Sequence, residues 1–112
     1  MKRIDAVIRR EQFAAVKKAL DRCGSPGLMV FTLRGHGRQR GVYEKFNGRR
    51  FKVELVPKIL LTIFADDPDA ERIVDTVRRT ARTGRVGDGK IFVAALEQAV
   101  RIRTGETGGA AL

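Results

Sequence analysis

The chain has 112 residues, close to the size of one domain, so a single core is feasible and two are not. Hydrophobic residues make up 43% and charged residues 32%, which suits a soluble fold and excludes wholesale disorder, and no apolar run approaches the roughly 20 residues that span a bilayer. Lys plus Arg number 23 against 13 Asp plus Glu, a net charge of +10 that points to anionic partners: nucleic acid, acidic membrane or phosphorylated small molecules.

Residues 3–9 predict a strand, apolar in the middle and charged at its ends. The N-terminus ahead of it has no long apolar stretch, so a signal peptide and direct membrane insertion are not expected. Phe13, Val16, Leu20 and Cys23 then recur at the spacing of one helical face, and Gly24-Ser25-Pro26-Gly27 stops that helix. Cys23 has no partner for an internal disulfide, which suits a reducing cytoplasm, and its spacing reads as a small core residue. Residues 28–33 predict a second strand and 59–64 a third. A second helix follows, with Asp67 as N-cap, Pro68 at the first helical position, Asp69 and Glu71 favouring the dipole, and Ile73, Val74, Val77 and Ala81 as its buried stripe. Residues 91–95 predict a fourth strand, 100–103 a short fifth, and 105–112 a loose tail.

The order β-α-β occurs twice, which predicts an α+β, ferredoxin-like sandwich of four strands with two helices on one face. Ile59-Leu60-Leu61-Thr62-Ile63-Phe64 is apolar at nearly every position, whereas a sheet with one wet face should alternate. The face without helices must therefore meet something apolar, and the simplest occupant is another copy of the same sheet, a homo-oligomer. Between the two halves, residues 35–52 form a long polar insertion, which in a domain this small suggests function, with a hairpin possible around Asn47-Gly48.

Three glycine-bordered basic segments could carry chemistry. Gly84-Arg85-Val86-Gly87-Asp88-Gly89-Lys90 matches the G-x-x-x-x-G-K string of a phosphate-binding loop. However, Ile91 supplies no hydroxyl for Mg²⁺ and a strand follows instead of a helix, so an ATP-hydrolysing P-loop enzyme is a poor fit. What remains open is a glycine cradle for an anion with a lysine beside it, or an ordinary turn. In a strand, Arg101 and Arg103 would face one way as paired guanidinium forks for phosphate, or form a solvated edge. Gly35-His36-Gly37-Arg38-Gln39-Arg40-Gly41 lacks a following helix, and His36 has no ligand partners at metal spacing. No nucleophile sits beside a base, so no catalysis is expected.

Gly35-x-Gly37-Arg38-Gln39-x-Gly41, Pro57-Lys58, residues 81–93 (Ala-Arg-Thr-Gly-x-x-Gly-Asp-Gly-Lys-Ile-Phe-Val) and Arg101-Ile102-Arg103-Thr104-Gly105-Glu106 together closely resemble the nitrogen regulatory protein PII family over nearly the whole chain. The resemblance implies one domain, 1–112, with a T-loop at about 37–55, a phosphate loop at about 82–90 and a tail at about 104–112, assembled as a homotrimer. It implies ATP or ADP in the clefts between subunits, with Gly87, Asp88, Gly89, Lys90 and Arg38 around the phosphates and Arg101 and Arg103 from the neighbour. It also implies 2-oxoglutarate bound with Mg²⁺ on Gln39, near Lys58 and the backbone of residues 35–41, including Gly35, Gly37 and Gly41. The T-loop would dock onto targets of nitrogen metabolism, an ammonium channel or another transporter. Arg40, Tyr43, Lys45, Phe46, Arg49, Arg50 and Phe51 are its candidate contacts.

Some positions depart from the family's usual pattern. Phe51 stands where many members carry the uridylylated tyrosine, Arg49 where cyanobacterial members carry a phosphorylated serine, and Asn47 where some carry a channel-plugging arginine. Thr62 replaces a common Glu and Met29 a common Thr, which opens the base or ribose preference and leaves ADP, AMP or another adenylate as alternative ligands, and a different second effector or target is a further alternative. An RNA-binding module shares the double β-α-β layout, but aromatic residues are only 6% and no stacking pair falls on adjacent strands, so no nucleic acid partner is expected.

Overall fold

Along Lys2–Arg9, Ile4, Ala6 and Ile8 turn inward and the residues between them do not, and that alternation makes the first strand, β1. The computed structural model describes residues 1–35, 42–46, 49–53 and 56–112, the segments 42–46 and 49–53 by their backbone alone. A 3-10 turn at Arg10–Gln12 leads into helix α1, Phe13–Arg22, whose Val16 and Leu20 are buried while Phe13 and Cys23 pack at the margin of the core. The helix ends in a Schellman motif: Gly24 N–H donates to Asp21 O at 3.3 Å and Ser25 N–H to Leu20 O at 3.1 Å. Strand β2, Leu28–Gly35, follows; then β3, Val42–Phe46, pairs with β4, Arg49–Val53, as a separate two-stranded ladder. Asn47 and Gly48, where a hairpin turn was expected, lie outside the described residues.

Strand β5, Val56–Ala65, leads through Asp66 to helix α2, Asp67–Ala81, and strand β6 covers Gly89–Ala95. The N-cap of α2 is Asp66, not Asp67 as expected. Strand β5 stays paired as far as Ala65 opposite Lys2, so Asp66 is the first residue free of the ladder, and its carbonyl accepts from Asp69 and Ala70 N–H at 3.0 Å each. Asp67 instead meets the amino terminus of Met1 at 3.0 Å.

The four long strands run β2-β5-β1-β6, each antiparallel to its neighbours, with both helices on one face: the ferredoxin-like α+β arrangement expected. Ile59, Leu61 and Ile63 of β5 face the helices and, with Ile4, Ile8, Leu20, Ile73 and Val77, form the core. Residues directly paired across a ladder share a face. The register therefore places Met29, Thr62, Asp5 and Phe92 in one row across the opposite face, and Phe31, Leu60, Val7 and Lys90 in the next. Among the described residues no helix covers that face, and it exposes 45% of Met29, 49% of Phe31 and 56% of Phe92.

The expected fifth strand at 100–103 is not formed. Beyond Ala95 the chain passes Met1 and leaves the end of the sheet, with Leu96 N–H donating to Met1 O at 3.0 Å. Residues 102–104 then form a turn, closed by Gly105 N–H on Arg101 O at 2.7 Å and Arg101 N–H on Glu106 O at 2.8 Å. Val100 keeps one bridge, to Thr107. Nor is the tail loose, because Gly108–Ala111 winds into a 3-10 turn packed on Asp66. A Cβ added at Gly109 would lie 2.9 Å from Asp66 Oδ2.

Candidate functional site

The loop between α2 and β6 owes its shape to a carboxylate. Asp88 Oδ2 accepts the N–H groups of Thr83 and Gly84 at 2.9 Å each, while Oδ1 accepts the Thr83 hydroxyl and, at 3.0 Å, Nε of Arg9 from the far end of β1. Two cations of the sheet hold the loop's carbonyls: Arg9 donates to Val86 O at 2.8 Å and Lys58 Nζ to Gly87 O at 2.6 Å. Hydrogen bonds from Thr83 first, then Arg9 and the Gly84 and Thr83 N–H groups, hold the Asp88 carboxyl far below the usual carboxylate range, against the opposing effect of burial. Burial chiefly, with Arg9 beside it, lowers the pKa of Lys58 from the ordinary lysine value, while Glu11 and Asp88 pull the other way.

The Asp88 carboxylate is thus taken up by the loop itself, and it shapes the cradle of residues 87–90 from within. Gly89 brings the loop onto the sheet. Its φ is +104°, and a Cβ built there would sit 1.7 Å from Val7 O, a position only glycine can occupy.

Under the loop, on the sheet face without helices, lies a cleft of about 730 Å³. Val7, Leu33 and Phe92 give it an apolar floor, and Lys58, Arg82, Arg85 and Lys90 make its lining basic. An anionic ligand with a flat apolar part suits such a lining. The structure thus brings together Gly35, Lys58, Gly87, Asp88, Gly89 and Lys90 from the expected set.

Arg101 and Arg103 are not among them. They follow the Ala95 end of β6, opposite Lys2, whereas the loop joins β6 at Gly89, opposite Ile8, about 20 Å away along β1. Nor do they form a parallel pair: the Arg101 guanidinium donates to Glu106 and to Leu112 O at 3.3 Å each, and Arg103 is exposed on the turn. Gly37, Arg38, Gln39, Arg40 and Gly41 lie outside the described residues. Tyr43, Lys45 and Phe46 fall on β3 and Arg49, Arg50 and Phe51 on β4. Arg9, Thr83, Arg82 and Arg85 carry site geometry that sequence reasoning did not assign. Thr83 and Asp88 are close enough in sequence to suggest a side-chain-bonded loop, but Arg9 lies 79 residues from Asp88 and gave no local signal.

The family model for nitrogen regulatory protein P-II matches residues 1–106. The chain belongs to this family. P-II proteins are signal transducers and not enzymes, and they act on target proteins under the control of small-molecule effectors. The chain is 44% identical over 108 residues to nitrogen regulatory protein P-II 2 of Methanothermobacter thermautotrophicus, an alignment covering 96% of this chain and 94% of that one. It is 43% identical over 112 residues to nitrogen regulatory protein P-II of Rhodospirillum rubrum, with both chains covered in full. A third P-II protein, from Nostoc punctiforme, is 43% identical over 106 residues, 95% of each chain. Among the described residues no helix is long and apolar enough to cross a membrane.

Proposed function

We propose that this P-II protein is a cytoplasmic, homotrimeric sensor that binds ATP or ADP in the cleft beneath the 82–90 loop and regulates nitrogen-metabolism targets through its 37–55 segment. The observation that carries the reading is the placement of basic groups. Lys58, Lys90, Arg82 and Arg85 line one end of the bare sheet face, while Arg101 and Arg103 stand beyond its other end. A neighbouring copy laid on that face would bury Met29, Phe31 and Phe92, and could bring its Arg101 and Arg103 to the first copy's loop. Phosphate oxygens would then meet cations of two chains, and the Gly87–Gly89 backbone would approach them closely.

In this reading 2-oxoglutarate is the second effector, held near Lys58 and Gly35 and joined to the nucleotide through Mg²⁺. The ion would sit mainly on phosphate oxygens, with Gln39 as its protein ligand. Occupancy of the two effector sites is then linked, and the long basic segment reports it to a target protein. One observation favours a base preference of this chain's own. Met29 and Thr62 are register partners on the bare face, and the Thr62 hydroxyl donates to Asp5 Oδ1 at 2.6 Å, leaving it no second proton to give.

Calorimetric titration of the trimer with ATP, ADP and AMP, each with and without Mg²⁺ and 2-oxoglutarate, tests this proposal. Lys90→Ala and Arg103→Ala are each expected to weaken nucleotide binding at least about tenfold, the loss of a charge-assisted bond. Unchanged affinity in both, or tighter binding of single-stranded RNA than of any adenylate, would overturn it. Because Phe51 has no hydroxyl, incubation with a uridylyltransferase and UTP should leave position 51 unmodified by mass spectrometry, and a uridylyl adduct there would refute that.

A further inference from the structure

A second concave surface lies on the helix side of the sheet, behind the loop. It is a groove of about 420 Å³ between α2 and the outer edge of β6, floored by Ile8, Val74, Val77, Ala81 and Ile91. Arg78 in the last turn of α2, Arg82 just past its end and Lys90 at the start of β6 stand on its rim, all exposed. Among the described residues none of these three makes an ion pair, whereas Arg72 and Arg79 on the same helix each do. Among the described residues the one carboxylate in the lining, Asp88, has its oxygens taken by Thr83, Gly84 and Arg9. At Gly89 the floor carries no side chain.

Among the described residues strand β6 is the last strand of the sheet, paired on one side only, to β1. On the helix side of this seven-residue strand Val93, opposite Ile4 of β1, is 50% exposed. An edge of this length with a bare apolar side chain is a template for a further strand, and among the described residues of β6 only Lys90 at one end blunts it. An incoming strand would have its backbone bonded along β6, and its side chains would face an apolar floor with a basic rim.

We infer that the β6 edge and its groove dock an extended acidic segment of a partner protein. The segment adds as a strand, setting an aliphatic side chain over Gly89 and carboxylates against Arg78 and Arg82. This surface lies on the helix side of the sheet, opposite the bare face, and it needs no nucleotide to exist. Since Arg82, Asp88, Gly89 and Lys90 line both groove and cleft, a ligand in one alters what the other offers.

The test is fluorescence anisotropy of a labelled acetyl-Glu-Glu-Val-Val-Glu-Glu-amide peptide titrated with the full chain, alongside hydrogen exchange of β6. Saturable binding is expected, weakened about fivefold by Arg78→Ala and again between about 50 and 300 mM salt, as for partly exposed ion pairs. Arg78→Lys should retain it, the peptide with Lys in place of Glu should not bind, and the β6 amides turned away from β1 should gain protection. Arg78 lies outside the nucleotide cleft, so ATP affinity should be the same in Arg78→Ala. Equal peptide binding by Arg78→Ala, or equal binding of the lysine peptide, overturns the inference. So does protection of those outward amides before any peptide is added, which would mean that a second copy of this chain holds the edge.

Discussion

Gly89→Ala should unfold the loop junction and abolish effector binding in the cleft. The added methyl would lie 1.7 Å from Val7 O and 2.8 Å from Val7 C, both backbone atoms of the central strand, so no side-chain rotation relieves the clash. The residue would also have to hold a φ of +104°, which alanine rarely adopts. Backbone strain and overpacking together cost about 2–5 kcal/mol, a large share of the stability of a small domain. Thermal unfolding should show a fall on the order of 10–20 °C. Gly27→Ala, where nothing lies within 4 Å and φ is not positive, is the matched control and should change little. A Gly89→Ala protein as stable as the control would show that the loop does not cross onto β1 in this way.

Asp88→Ala should be the second most damaging change, and it should alter the acid side of the stability profile. Removing the carboxylate leaves Thr83 and Gly84 N–H, the Thr83 hydroxyl and Arg9 Nε without their acceptor. Loss of such a charge-assisted network costs about 2–4 kcal/mol, and the glycine cradle over the cleft loses its shape with it. Because the folded pKa of Asp88 lies below its unfolded value, its stabilisation is present in full above the unfolded pKa of about 3.9 and is lost as pH falls below that toward the folded value. Denaturant titrations from neutral pH down to about 2 should therefore show the two proteins converging as the pH drops below about 4. Parallel curves, or a variant as stable as the parent at pH 7, would remove Asp88 from its structural role.

Periodicity carried most of the fold. Val16 and Leu20 on one helix, Ile73 and Val77 on the other, and the alternation in β1 are patterns of immediate neighbours, and each is buried as its spacing requires. The nearly uninterrupted apolar run in β5 was also legible: Ile59, Leu61 and Ile63 lie in the core, while its other residues belong to the face without helices, where Phe31 and Phe92 stand exposed. Cap and edge positions failed where long-range pairing decides. Asp66 caps α2 because β5 stays paired to Ala65, and residues 100–103 form no strand because the chain has already left the end of the sheet.

The sequence by itself determined the α+β layout, the glycine-rich basic segments and the family to which they belong, since all of these are written in local spacing. Only the tertiary structure decided what the charged groups do. It joined Arg9 to Asp88 across 79 residues, made that carboxylate the fastening of its own loop, and set Arg101 and Arg103 at the opposite end of the sheet from Lys90. Ladder register is a long-range property, fixed by which strands bury their apolar faces together, and no spacing along the chain encodes the distance between side chains that register brings together or holds apart.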